Sequence, residues 1–278
     1  MTQIKDDLTM NILNLMRKKS KICRVIPNRD DLLLLLHGMS FFVGYEEAMF
    51  CNEFMFEVSQ LLIKSIFLYE DGYYDCAYYS VRQAYELLNT MLYLVIEDSN
   101  VRLKWLKKDR FELNHRITQK LEQKLNAYKE VKDKLADYFD HLKELVQNAN
   151  KIIHKQGYDT FYRVQVYYPQ SYNYSLEKDV QLFTEFLKYT IGYYIIVYII
   201  VDPISLALSD GEVTLKIHFD PLTEPAFYID YFKNYLNKPD IIDKIKKTDF
   251  YTEFVTRFND KEEMNPAVYS IIKDGYGI

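Results

Sequence analysis

The sequence is poor in glycine, cysteine and tryptophan. Eight glycines in 278 residues leave no Gly-rich loop to cradle a phosphate, and neither a P-loop nor a dinucleotide fingerprint is present. The three cysteines, Cys23, Cys51 and Cys76, form no Cys-x-x-Cys pair and are odd in number. That argues against a disulfide scaffold or a zinc site, and for reduced thiols in the cytoplasm. No metal and no cofactor are expected. The Gly-x-Ser-x-Gly elbow and the His-Glu-x-x-His pair are also missing. No basic stretch followed by an apolar one opens the chain, so no secretory signal is expected. The most apolar run, Ile191 to Val201, falls short of the roughly 20 residues a spanning helix needs. Glu185 and Lys188 interrupt it on one side and Asp202-Pro203 on the other. A buried core helix is expected there, and no membrane partner.

What is present is an ordinary globular composition, 49% apolar and 27% charged, with ample chain to bury a core. The net charge of -5 speaks against non-specific coating of nucleic acid. Tyrosine (26) and phenylalanine (17) are abundant. They fall inside apolar periodic segments, which suits cores and subunit interfaces better than a base-stacking platform.

The first half reads as helix. Asn28 is placed to cap a helix whose first turn holds Asp30 and Asp31. Glu46 to Tyr69 and Tyr73 to Ile96 are long helical segments joined by Asp71-Gly72, which predicts an antiparallel hairpin. Within the second, Ala77, Val81, Ala84, Leu88, Met91 and Val95 recur at steps of three and four, a buried helical stripe. Asn114 to Tyr128 and Val131 to Ile153 are read as two further helices, the last stopped by Gly157. The second half reads as mixed. Phe161 to Tyr168 alternates like a strand. Leu176 to Val201 is a helix. Ile204, Leu206 and Leu208, then Val213, Leu215, Ile217 and Phe219, alternate about Asp210-Gly211 like a hairpin. Ala226 to Leu236 and Asp240 to Phe258 read as surface helices. The expected fold is thus mainly α, a helical segment over 1–44, a bundle over 45–157, and a helix with a small sheet over 158–278.

Three constellations are candidates for chemistry. Gln147, Asn150 and His154 share one face of the last bundle helix. Amides leading to an imidazole can orient a phosphate or ribose and fix the tautomer. The competing reading is a polar helix end facing water. Arg82 and Glu86, four residues apart amid Tyr78, Tyr79 and Tyr85, read first as an ion pair fixing helix register. The functional reading is a guanidinium presented to phosphate. Finally, residues 102–124 carry eight cations (Arg102, Lys104, Lys107, Lys108, Arg110, Arg116, Lys120, Lys124) against Asp109, Glu112 and Glu122. Such a run is ordinarily a solvated helix face. It is also the only electrostatic footprint for RNA in the chain. Of the other histidines, His37 reads as a helix-end group, His141 has no evident partner, and His218 faces solvent.

The run Tyr69-Glu-Asp-Gly-Tyr-Tyr-Asp-Cys-Ala-Tyr-Tyr-Ser-Val-Arg-Gln-Ala-Tyr-Glu86 resembles the hairpin of HEPN-like proteins. Asn150-Lys-Ile-Ile-His154 is similar to the close of that family's last core helix. The resemblance covers about residues 45–157. It implies a four- or five-helix bundle that dimerises, and, in many members, a metal-independent ribonuclease of toxin–antitoxin or abortive-infection defence. The family's motif places an Arg four to six residues before a His. Here Asn148 stands where that Arg would precede His154, and an amide does not hold phosphate charge as a guanidinium does. The literal spacing Arg110 to His115 lies in the more polar preceding segment and is set aside as chance.

Two functions follow from the resemblance. The first is an RNA-cleaving or RNA-binding effector, with His154 as general acid and base and Asn148, Asn150 and Arg82, the last beside Glu86, holding phosphate. The second is a non-catalytic interaction or oligomerisation protein, an antitoxin, sensor or scaffold, that uses its Tyr-rich helices to hold a second copy or a protein partner. A small-molecule or nucleotide-binding bundle is a third, weaker reading, because no Gly-rich phosphate loop exists.

Overall fold

Two apolar runs separated by Asp71-Gly72 dictate the central unit. A computed structural model of the chain describes residues 10–11, 25–39, 46–109, 111–157, 177–207 and 228–259, the side chains of 46–49, 177–178, 204–205 and 257–259 excepted. After α1 (Arg29–Gly38), the two runs form α2 (Glu46–Glu70) and α3 (Tyr74–Ile96), packed on each other as expected. Gly72 turns the chain with φ 88. Its N–H donates to Tyr69 O at 3.0 Å, and the Tyr73 N–H donates to Leu68 O at 2.8 Å. These two bonds close a Schellman motif, and the left-handed residue in it has no Cβ to clash.

Short helix α4 (Ser99–Leu106) follows, capped by the Asp98 carboxylate, which accepts the Val101 N–H at 3.0 Å. Then come α5 (Asn114–Lys124), α6 (Asn126–Lys134) and α7 (Ala136–Ile153). The sequence reading had two helices here, and the structure has three. Leu125 (φ -112, ψ 93) and Leu135 (φ -114, ψ 31) leave the helical region. Leu135 is only 3% exposed, so this break drives an apolar side chain into the core, something no Gly or Pro announces. Asn28 also departs from expectation. It precedes α1 in the left-handed region and makes no side-chain cap.

The remaining described elements are α8 (Glu177–Val201), α9 (Pro203–Ala207), α10 (Tyr231–Leu236), α11 (Ile241–Lys246) and α12 (Asp249–Asn259). The expected strand over Ile204, Leu206 and Leu208 is corrected as far as residue 207. Pro203 opens a helical turn, where its fixed φ is no handicap, and Leu206 and Ala207 are buried. The other strand expectations, 161–168 and 208–219, lie outside the described residues, among which every regular element is helical. The C-terminal helices are not surface decoration. Tyr231, Phe232, Ile241, Ile242 and Ile245 are all buried.

The mainly α fold centres on α3, which packs against α2, α5, α7 and α8. The stretch Asp179–Val201 is long and apolar enough to cross a membrane by length and composition, but 78% of its apolar window is buried in the fold. Its surface is taken up by neighbours. Tyr69 stacks on Phe183 at 4.0 Å, Tyr138 on Tyr189 at 5.1 Å, and Phe139 meets Tyr193 edge-on at 5.8 Å. Each such buried ring contributes about 1.5–3 kcal/mol from apolar area alone. Three buried tyrosine hydroxyls are paired as well. Tyr194 donates to Met39 O and Met55 O (3.0 and 3.2 Å), Tyr231 to Lys188 O (2.9 Å), and Tyr138 to Tyr189 O. Burial holds Tyr138, Tyr193 and Tyr231 well above the usual phenol range. Helix α8 shares one continuous core with α2, α3 and α7.

Candidate functional site

The C-terminus of α7 was expected to present His154. It does so by a left-handed turn that precedes Gly157. Lys155 has φ 54, its N–H donates to Ile152 O at 3.2 Å, and the Gln156 N–H donates to Lys151 O at 2.8 Å. The helix therefore reverses two residues before the glycine. His154 is the residue just ahead of the reversal, and its N–H donates to Asn150 O at 2.9 Å. Its imidazole is exposed and has no hydrogen-bond or ion-pair partner among the described residues.

Lys155 then pairs with Asp75 in the first turn of α3. At the far end, Phe139 of α7 and Asn89 of α3 both touch Tyr193. The two helices thus run antiparallel. Arg82 lies seven residues past Asp75, and Asn148 seven before Lys155, so these two stand level with each other. Both are about 10 Å along the axis from the level of His154 at 1.5 Å per residue.

Arg82 is committed within its own helix. Its Nε donates to Glu86 Oε1 at 2.9 Å and the terminal nitrogen approaches the same oxygen at 2.8 Å. The pair is partly exposed (23% and 33%). This is the ion-pair arrangement that the spacing predicts. Asn148 is exposed. Asn150 is half-buried, and its Oδ1 is buried without a hydrogen-bond partner among the described residues. Arg82 and Glu86 are thus brought together, and Asn150 lies one turn before His154 on the same helix. A phosphoryl-transfer site needs donors aimed at the phosphate beside the acid–base group, and Arg82, the one guanidinium among the candidates, is held by Glu86.

Three cations of the basic run 102–124, Arg102, Lys120 and Lys124, are spoken for. Arg102 donates to Leu94 O (2.7 Å) and Val95 O (3.3 Å), the open carbonyls at the end of α3, and lies 5.0 Å over the Phe50 ring. Lys120 meets Glu112 Oε1 at 2.9 Å and the Tyr93 hydroxyl at 3.1 Å, and these two hydrogen bonds hold its amine above the usual lysine range. Lys124 pairs with Glu97 at 2.6 Å. Glu97 lies outside the run, so counting acids inside the run understated its neutralisation. Lys104, Lys107 and Lys108 remain exposed beside the exposed Leu103, Leu106 and Leu113. Arg110 lies outside the described residues, and His115 is exposed in the first turn of α5. Among the described residues no group of His, Cys, Asp and Glu is placed to hold a metal ion.

His141, which the sequence left without a partner, has one. Its Nε2 lies 2.8 Å from Glu185 Oε1 on α8. Glu185 also lines a cleft of about 390 Å³ between the start of α1, α8 and α10, together with Thr184, Lys188, Tyr189 and Tyr235. Sequence reasoning did not single this cleft out. Its one signal was that Glu185 and Lys188 break an otherwise apolar helix. No family model matches the chain, and neither a curated protein nor a solved structure matches it.

Proposed function

We propose that this chain is a non-catalytic interaction protein built on a HEPN-like helical bundle. The observation that carries this reading is the Arg82–Glu86 pair. The guanidinium that a ribonuclease would need beside His154 is held by its own helix, level with Asn148. The cations of the basic run add support, since Arg102, Lys120 and Lys124 serve the fold. Among the described residues, Leu103, Leu106 and Leu113 are left exposed in the same stretch of chain as the exposed Lys104, Lys107 and Lys108. Leucines exposed by 48 to 62% beside unpaired lysines suit an acidic protein face. A second copy of this chain, at net charge -5, meets that description.

The test has two arms on the full chain. Light scattering should give a dimer for wild type and a monomer for Leu106→Asp at unchanged helicity. Incubation with RNA should give no cleavage that His154→Ala abolishes. RNA cleavage by wild type that is lost in His154→Ala would replace this reading with the ribonuclease one. A monomeric wild type would remove the self-association.

A further inference from the structure

The cleft on α8 carries features that neither the fold nor the interaction surface uses. Thr184 is 7% exposed, yet its hydroxyl has no hydrogen-bond partner among the described residues. A buried hydroxyl left unpaired is costly, and a native one calls for an explanation. One turn on, the Lys188 amine reaches only Asn28 Oδ1 at 3.3 Å and the Tyr235 ring at 5.8 Å. No carboxylate stands within ion-pair distance of it among the described residues. The floor beneath is fixed, because the Tyr231 hydroxyl donates to Lys188 O at 2.9 Å.

The walls are aromatic and backed. Tyr235 stacks on Tyr231 at 5.1 Å, whereas the buried Tyr189 is enclosed by Tyr138 at 5.1 Å and His141 at 4.6 Å. Rings held from behind make flat, stiff surfaces for a planar group. A volume of about 390 Å³ is at the small end of ligand sites, which run about 300–1,000 Å³. The charge at the rim limits what enters. Glu185 is held by His141 on the same wall, and Lys188 is the one cation among the described residues that lines the cleft. A single cation beside a carboxylate already held by His141 suits one negative charge and disfavours a polyphosphate.

We propose that this cleft binds a small organic monocarboxylate with a flat apolar body. The carboxylate takes Lys188 and the Thr184 hydroxyl, and the body lies along the half-buried Tyr235 ring, which Tyr231 backs. Burial alone holds the Lys188 amine below the usual lysine range, and an arriving carboxylate supplies the counter-charge the site lacks. This inference stands apart from the partner surface around Leu106.

The test is titration of the full chain with 3-phenylpropionate, read by calorimetry and by ligand-observed NMR. Saturable binding is expected, at least tenfold tighter than for 3-phenylpropanamide and no tighter for the dianion phenyl phosphate. Lys188→Met and Thr184→Val should each weaken it five- to tenfold or more. Lys188→Arg should retain most of it, Glu185→Gln should tighten it, and Leu106→Asp should leave it unchanged. Circular dichroism of each variant separates lost binding from lost fold. Absence of saturable binding by folded wild type, equal binding of the amide, or undiminished binding by folded Lys188→Met would each overturn the proposal.

Discussion

Tyr193 donates its hydroxyl to Asn89 Oδ1 at 2.5 Å, both side chains being fully buried. The Asn89 amide nitrogen donates in turn to Asn114 Oδ1 at 3.1 Å. One side chain on α3 thus ties α8 on one flank to α5 on the other, at the centre of an otherwise apolar core. Asn89→Ala leaves the Tyr193 hydroxyl without this acceptor, at about 2 kcal/mol, or roughly 4–8 °C in melting temperature for a chain of this size. Tyr193→Phe should cost less, about 1 kcal/mol, and the double variant less than the two losses together. Thermal melts by circular dichroism decide this. Equal stability of Asn89→Ala and wild type would mean the tie contributes nothing.

Gly192, midway along α8, has a different job. A Cβ there would stand 2.7 Å from the Tyr138 hydroxyl, 3.1 Å from Phe232 and 3.2 Å from Leu236. The Tyr138 hydroxyl is held by the Tyr189 carbonyl, so it has little room to withdraw. Helix propensity favours Gly192→Ala by about 1 kcal/mol, but overpacking costs about 1–3 kcal/mol. The crowding wins because three groups from two helices meet at one point. Gly192→Ala is expected to melt below wild type and to raise amide exchange in residues 231–236. A higher melting temperature would show that α10 shifts aside freely.

These two sites show what was legible in the sequence. The α2–α3 hairpin and the Arg82–Glu86 pair are local, set by Asp71-Gly72 and by a spacing of four residues, and both could be read directly. The breaks at Leu125 and Leu135 could not, because no turn residue marks either, and at Leu135 the side chain is buried instead. The stop of α7 falls at Lys155, a lysine in a backbone region that glycine fills at lower cost, so the nearby Gly157 misled. His141 meets Glu185 across a gap of 44 residues, which no spacing rule encodes. The cleft is illegible for the same reason, since Asn28, Lys188 and Tyr235 meet only after folding. The row Gln147, Asn150 and His154 shares a face on paper, yet Asn150 buries its carbonyl oxygen while His154 meets solvent.

Arg102 illustrates a cation whose work is structural. Its guanidinium spans two end carbonyls of α3 and covers the Phe50 ring, where helix ends lack intrahelical partners. Arg102→Ala should cost about 1–2 kcal/mol through lost hydrogen bonds and lost stacking. Lys at this position keeps the charge but not the fork, so Arg102→Lys should recover less than half of that loss. Denaturant melts of the three proteins check the order. Full recovery by Lys would reduce the role of Arg102 to its charge.

Lys188 gives the pH prediction. Burial lowers its folded pKa below the ordinary value of 10.5. The unfolded chain therefore keeps the proton to higher pH than the folded one. Between the two values the unfolded state binds more protons, so stability rises with pH across that window. Below the folded pKa the whole penalty of burying the charged amine is present, and neutral pH lies on that side. Lys188→Met keeps an apolar stem of similar length without the charge. It is expected to melt above wild type at pH 7, with the advantage shrinking as pH rises towards 10. Melting temperatures of both proteins at pH 7, 8.5 and 10 measure this. A Lys188→Met variant less stable than wild type at pH 7 would mean that the Asn28 and Tyr235 contacts outweigh desolvation, and the amine would no longer need a ligand to complete it.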